Sequence, residues 1–407
     1  MKKRSIMLLT VCLFTGILGG CADKNASVAE EKTEINAVAE KNSEEKSEEQ
    51  SKEENNKEEK NTIVDMRGVT VELPENLERV AIIDKGFLVQ TMTALGVADK
   101  IVASGDVIQG ATEASERDSL LLCPQLLELP QIGYPTSAVD YETLVSADPD
   151  IVILRNSEYI KDSEITAEAI EKIENELNIP LVVVNGPGCY DEATVEQQYE
   201  GIRLMGDLFD KEDRAEEIVS MMDETISMIK ERTAEIPEDE RPSVMFLGGL
   251  TGEELSGTVW GSNYGDAKFA EEIGNIKNVH PECEAIRKVS AEQLIALNPD
   301  KIVLCTVCPD PDTFLTDPLY SPLAYITAVK NKDVVSRGAL TWWGDFRLEV
   351  PTIMLISAKG VYPEYFSDIN VGEWLNEYHM KLYNLTEEEA QKIKIAQQLD
   401  WMDKENF

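Results

Sequence analysis

Histidine is nearly missing from this 407-residue chain: only His280 and His379 occur. Protein sites for bare zinc or manganese bring several histidines together with a carboxylate. Two cannot supply that set, so no metal ligands are assigned and capture of a bare zinc ion is not expected. Basic charge is also short, with 38 Lys and Arg against 77 Asp and Glu and a formal net charge of −39. A nucleic-acid binder needs a basic footprint, and this balance excludes that class. It also disfavours a strongly anionic ligand unless a local basic pocket receives it. Beyond the N-terminal segment no apolar run is long enough to span a bilayer. No GxSxG elbow, HExxH pair, GxGxxG turn or Gly-Lys dipeptide is present. No catalytic residue is therefore assigned, and the chain is not read as an enzyme.

What is present begins with Lys2, Lys3 and Arg4, an apolar run at residues 6–18, and Leu18-Gly19-Gly20-Cys21. That sequence has the form of a bacterial lipobox. Residues 1–20 are expected to be a lipoprotein signal peptide. Cys21 is then the lipidated residue that anchors the chain to the outer face of the cell membrane. Residues 21–61 are rich in Glu and Lys and almost free of large apolar side chains, so they are read as a disordered acidic tether. As a flexible coil of about 40 residues it would reach about 35 Å.

From Thr62 the pattern is globular. TIVDMRGVTVEL alternates around Arg67-Gly68 as a β-hairpin does. ERVAIID, KIVASG, residues 151–154 and LVVV are compact apolar runs of strand length, separated by helical patterns such as FLVQTMTALGV and AEAIEKIENELNIP. Continuous apolar strands alternating with helices imply parallel sheets covered on both faces. Between residues 194 and 236 the alternation lapses into helical periodicity alone. The part from 214 to 236 lacks Gly and Pro and would make one helix roughly 34 Å long. After Pro237 the alternation resumes. The expected fold class is α/β: two Rossmann-like lobes with parallel sheets, linked by a single long helix, with a ligand cleft between them. The lobes are placed at residues 62–193 and 237–385, the helical linker at 194–236, and a helical tail on the second lobe at 386–407.

One short unit occurs twice. YETLVSADPDIVIL at 141–154 and AEQLIALNPDKIVL at 291–304 share Glu142/Glu292, Leu144/Leu294, Pro149/Pro299, Asp150/Asp300 and Leu154/Leu304, at a constant offset of 150. Together with DMRGVTVELPENLERVA, ALGVADKIVA, GNIKNV and VYPEYFSDI, this doubled element makes residues 62–385 resemble the periplasmic-binding-protein family that serves ABC importers of iron–siderophore complexes, haem and cobalamin. The resemblance implies a ligand held between two lobes and handed to an ABC permease with its ATPase. It also implies one permease-docking glutamate per lobe, which fall on Glu142 and Glu292. No cofactor is implied; the transported ligand would be an iron or cobalt chelate.

In parallel α/β sheets ligands gather at the carboxyl ends of strands. Aromatic residues are only 6% of the chain, yet TVWGSNY and LTWWGDFR concentrate them just past strands. Trp260, Tyr264, Trp342 and Trp343, with Tyr134 and Tyr190 opposite, are candidates to line a cleft for a large, partly aromatic chelate. Arg347 is a candidate partner for an oxygen-rich ligand group. Cys305 and Cys308 form a CxxC that reads as a local disulfide, as two free thiols, or as half of a thiol metal centre with Cys189. A chelatase-like surface enzyme built on those cysteines and a surface adhesion or sensor module are the alternatives from other classes.

Overall fold

The computed structural model describes residues 61–105, 117–134, 139–157, 160–251, 255–262, 265–281, 286–305, 308–340 and 347–407. The signal peptide, Cys21 and the tether lie outside the described residues. Strands β1 (Thr62–Val64) and β2 (Thr70–Glu72) form the hairpin read from the alternation. Buried Asp65 clips it to the first lobe by accepting the Val183 amide at 3.1 Å.

The first lobe runs β3 (Val80–Ile83), α1 (Phe87–Ala94), β4 (Ile101–Ser104), α2 (Asp118–Leu122), α3 (Tyr141–Ser146), β5 (Ile151–Asn156), α4 (Glu164–Glu171) and β6 (Leu181–Asn185). Its four strands are all parallel, in the order β4-β3-β5-β6. Side chains alternate across a strand, and both faces are covered here. Ile82, Ile153, Val182 and Val184 enter one core, while Ala81, Ile83, Val152, Leu154 and Val183 enter another. That is why these strands are apolar at every position.

Helices α5 (Val195–Leu208) and α6 (Glu212–Thr233) follow. α6 begins with Glu212 and Asp213 and ends with Lys230 and Arg232, the charge order that its dipole favours. Its buried stripe is Ala215, Ile218, Val219, Met222, Ile226 and Ile229, and α5 is one of the helices packed against it. The crossing is close: a Cβ on Gly206 would lie 2.5 Å from the Ala215 Cβ, so only glycine fits.

The second lobe runs β7 (Ser243–Thr251), β8 (Ser256–Trp260), α7 (Gly265–Gly274), β9 (Lys277–Asn278), β10 (Ile286–Val289), α8 (Ala291–Leu297), β11 (Lys301–Leu304), α9 (Pro311–Thr316), α10 (Thr327–Asn331), β12 (Val334–Ser336) and α11 (Val350–Val361). Its sheet order is β10-β8-β7-β11-β12, with β9 beside β7. The α/β class read from the sequence holds, with one difference. β7, β11 and β12 are parallel, but β8 is reversed and pairs antiparallel with both β7 and β10. The register slips after Gly248 and Gly249 takes φ +54°, so the chain returns directly as β8 instead of crossing through a helix.

Helices α12 (Val371–Tyr383), α13 (Glu387–Ala396) and α14 (Trp401–Glu405) close the chain. The tail was expected on the second lobe, yet α13 also packs against α2 of the first. One continuous core joins Ile153 and Val184 of the first lobe, Ile226 of α6, Phe246 of the second lobe and Met402 of the tail. The lobes therefore share a hydrophobic layer, and α6 is one of several elements in it.

Candidate inter-lobe ligand cleft

A cleft of about 570 Å³ lies between the lobes. The first lobe contributes Lys161, which follows β5, and Gly188, Tyr190, Asp191, Glu192 and Ala193, which follow β6. The second contributes Ser262, Gly265, Lys268, Glu271 and Glu272, around and along α7. The start of α7 is held at the carboxyl edge of its sheet: Asp266 lies 3.7 Å from the Arg337 guanidinium, which follows β12. Lys268 is neutralised by Glu272 one turn on. Glu271 is half-buried, its Oε1 accepts the Asn278 amide at 3.1 Å, and burial pushes its carboxyl above the ordinary range. Four carboxylates against two lysines make this a polar, negatively biased cavity.

Of the aromatic candidates, Tyr190 lines the cleft, half-buried, with burial pushing its phenol up. Tyr134 does not line it. Tyr134 is 2% exposed, its hydroxyl is 3.3 Å from Ser157 Oγ, and Lys85 sits 4.7 Å over its ring. Trp260 is 5% exposed and belongs to the shared core. Tyr264, Trp342 and Trp343 lie outside the described residues. Among the described residues the cleft wall is thus mainly carboxylate and lysine, with Tyr190 its one aromatic.

Arg347 is placed between the lobes but is already engaged. Its Nε and one terminal nitrogen donate to the Leu340 and Ala339 carbonyls at 2.8–3.2 Å, and the other nitrogen meets both Asp118 oxygens at 3.2 and 3.3 Å. Each guanidinium nitrogen thus has an acceptor within the protein, which ties Arg347 into the structure between the lobes. Its Cδ packs so near the backbone that a Cβ on Gly86, at φ +136°, would approach to 2.8 Å. Sequence reading also missed Glu349, fully buried beside this pair. Its Oε1 accepts Gln90 at 2.8 Å, Gln397 at 3.1 Å and the Tyr383 hydroxyl at 3.3 Å.

Cys189, Cys305 and Cys308 are free thiols. Burial pushes Cys308 up to about 11 and Cys305 higher still, so both stay protonated near neutrality. A protonated thiol is neither a nucleophile nor a metal ligand. No group of three or more His, Cys, Asp or Glu side chains able to hold a metal occurs among the described residues.

The duplicated element keeps its geometry in both lobes. Asp140 caps α3 by accepting the Thr143 amide, and Ser290 caps α8 by accepting the Gln293 amide. Leu144 and Leu294 are both 0% exposed. Asp148 and Asn298 both turn left-handed, at φ 48° and 42°. Asp150 Oδ2 takes the Glu78 and Arg79 amides, and Asp300 Oδ2 takes the Ser243 amide and hydroxyl. Each helix ends just before the amino end of its strand, with its capped N-terminus at the far end of the element. Glu142 and Glu292 stand exposed there, in the first turn.

Comparison with known proteins agrees with this architecture. A periplasmic solute binding protein from Veillonella parvula has the same fold, at TM-score 0.69 and 23% identity, over 85% of this chain and 99% of that one. The molybdate-binding protein MolA of Haemophilus influenzae is 22% identical over 342 residues, 79% of this chain and 90% of its own. YvrC of Bacillus subtilis, an uncharacterised ABC transporter substrate-binding lipoprotein, is 25% identical over 309 residues, 74% of this chain and 81% of its own. The family model described as "Periplasmic binding protein" matches residues 85–339, well over half of the chain. The chain belongs to the periplasmic binding protein family.

Proposed function

We propose that this protein is the substrate-binding component of an ABC importer. It captures a metal chelate of the iron–siderophore, haem or cobalamin class in the inter-lobe cleft and delivers it without chemical change. Residues 1–20 direct export, Cys21 carries the lipid anchor, and residues 21–61 act as the spacer to the folded body. The single observation that carries this proposal is the repeated element, which sets one exposed carboxylate, Glu142 or Glu292, in the first turn of a helix in each lobe. A permease of pseudo-twofold form would meet one carboxylate from each lobe. The protonated thiols of buried Cys305 and half-buried Cys308 support a binding role over a cysteine-centred enzyme.

The relative named for molybdate makes an oxyanion the second reading. The cleft argues against it, since Asp191, Glu192, Glu271 and Glu272 outnumber Lys161 and Lys268. The test is a titration of the full chain with haem, cobalamin, ferric hydroxamate, ferric catecholate and molybdate, followed by tryptophan fluorescence. Saturable quenching by one chelate at micromolar affinity or tighter, about −8 kcal/mol, is expected. Saturation by molybdate alone would replace the chelate with an oxyanion. Binding by none of the five would overturn the capture of this ligand class.

A further inference from the structure

We propose that Glu349 is a proton-operated latch between the lobes: protonated, it fastens α1 and α2 of the first lobe to α11, α12 and α13, and ionised, it loosens that contact. Glu349 is the N-cap residue of α11 and is 0% exposed. Its Oε1 gathers donors from three other elements: Gln90 on α1, Tyr383 on α12 and Gln397 just past α13. The same Gln397 amide also donates to Asp118 of α2 at 3.2 Å, so one side chain of the tail holds an acid from each lobe. Glu349 Oε2 has no hydrogen-bond partner among the described residues.

Every charge packed around Glu349 is already matched. Asp118 on α2 takes the Arg347 guanidinium. Burial would raise Asp118, but Arg347 and Gln397 outweigh it and hold that carboxyl low. On α12, burial depresses His379 to about 4, so it is neutral above that pH, and Tyr378 and Tyr383 are held as neutral phenols by burial. On α13, Lys394 is paired with Asp403 at 2.6 Å. Gln90 on α1 carries no charge, and its carbonyl oxygen accepts the Leu348 amide at 3.2 Å. An ionised Glu349 would therefore be a buried anion with no cation of its own, the arrangement a low-dielectric interior penalises most.

The direction of the switch follows. Burial pushes Glu349 up to about 7, against an ordinary value of 4.5 once the carboxyl is hydrated. Below that ordinary value both the fastened and the opened forms hold the proton, and pH has no effect. Between the two values the fastened form holds more protons than the opened one, so rising pH favours opening. Above about 7 the effect is complete. Asp118 titrates below this window; His379, held low by burial, opposes Glu349 below its ordinary value of 6.5 wherever opening hydrates it, and the comparison with Glu349→Gln, which keeps that imidazole, isolates the carboxyl. The latch goes beyond solute capture and does not depend on what the cleft holds.

Hydrogen–deuterium exchange on the full chain at pH 5.5 and pH 8, corrected for the intrinsic exchange rate, tests it. Opening of α1 and α13 is expected to rise about threefold or more from pH 5.5 to 8, while β5 and β11 keep their protection. In Glu349→Gln, which cannot titrate, the rise is expected to shrink to less than about twofold. Equal protection of wild-type α1 and α13 at both pH values would overturn the proposal. So would a Glu349→Gln profile that follows the wild type. Should that variant fail to fold, the wild-type contrast between those helices and β5 decides by itself.

Discussion

The two copies of the Glu-x-Leu…Pro-Asp element, at 141–154 and 291–304, are built to one plan with different local chemistry. Leu144 and Leu294 fill equivalent buried positions, and Asp150 and Asp300 both tie the start of the central strand to the chain before its neighbour. At the surface the copies diverge. Glu292 accepts the Ser290 hydroxyl at 2.8 Å, which lowers its carboxyl, whereas Glu142 has Asp140 as the neighbouring cap instead. Asn298 uses its side-chain oxygen to accept the Thr327 amide and hydroxyl, while Asp148 offers only its carbonyl, to Arg79. What is repeated is the part that sets a capped helix ahead of the sheet strand. What varies is the part that ties the element to its own lobe.

The largest test of that likeness is in the buried position. Leu144→Ala and Leu294→Ala are each expected to cost about 3 kcal/mol by chemical denaturation. Costs differing by more than about 2 kcal/mol would show that the two sites are not equivalent. Next come the strand ties. Asp150→Ala leaves two backbone amides without an acceptor, and Asp300→Ala leaves one amide and one hydroxyl. Each is expected to cost about 1–2 kcal/mol in the same assay, and a neutral result for either would remove that tie from the shared plan.

The smallest effect separates the copies. Both turn residues are left-handed, a conformation glycine adopts without strain. Asp148→Gly is expected to be neutral or stabilising by a few tenths of a kcal/mol, because its side chain has no hydrogen-bond or ion-pair partner among the described residues. Asn298→Gly loses two hydrogen bonds to Thr327 and is expected to cost about 1 kcal/mol. Thermal unfolding of the two variants side by side checks the sign, and equal shifts would contradict the difference drawn above.

Much of the fold was legible because its signals are local. VAII, LVVV and KIVL are strand-length apolar runs buried on both faces, and residues 212–233 lack any breaker, so α6 could be read directly. The antiparallel return through β8 was not legible, since a Gly-rich stretch reads as a loop whether or not its ends pair. The aromatic candidates show a second limit. An aromatic near a strand end looks the same in sequence whether it faces the core, as Trp260 does, or the cleft, as Tyr190 does. Arg347 shows a third. Its partner Asp118 is 229 residues away and its other acceptors are backbone carbonyls, so no side-chain pattern announces that it is occupied. Glu349 was hidden for the same reason, its partners lying at Gln90 and Gln397.

The most direct measurement is the affinity of the full chain for its ABC permease in lipid nanodiscs, comparing Glu142→Arg, Glu292→Arg and the double variant, with far-UV circular dichroism as the check on folding. If the repeated element supplies one docking carboxylate per lobe, each single reversal weakens the complex about tenfold and the double about a hundredfold, near 1.4 kcal/mol per site. A loss carried wholly by one lobe, or no loss in any variant, would contradict it.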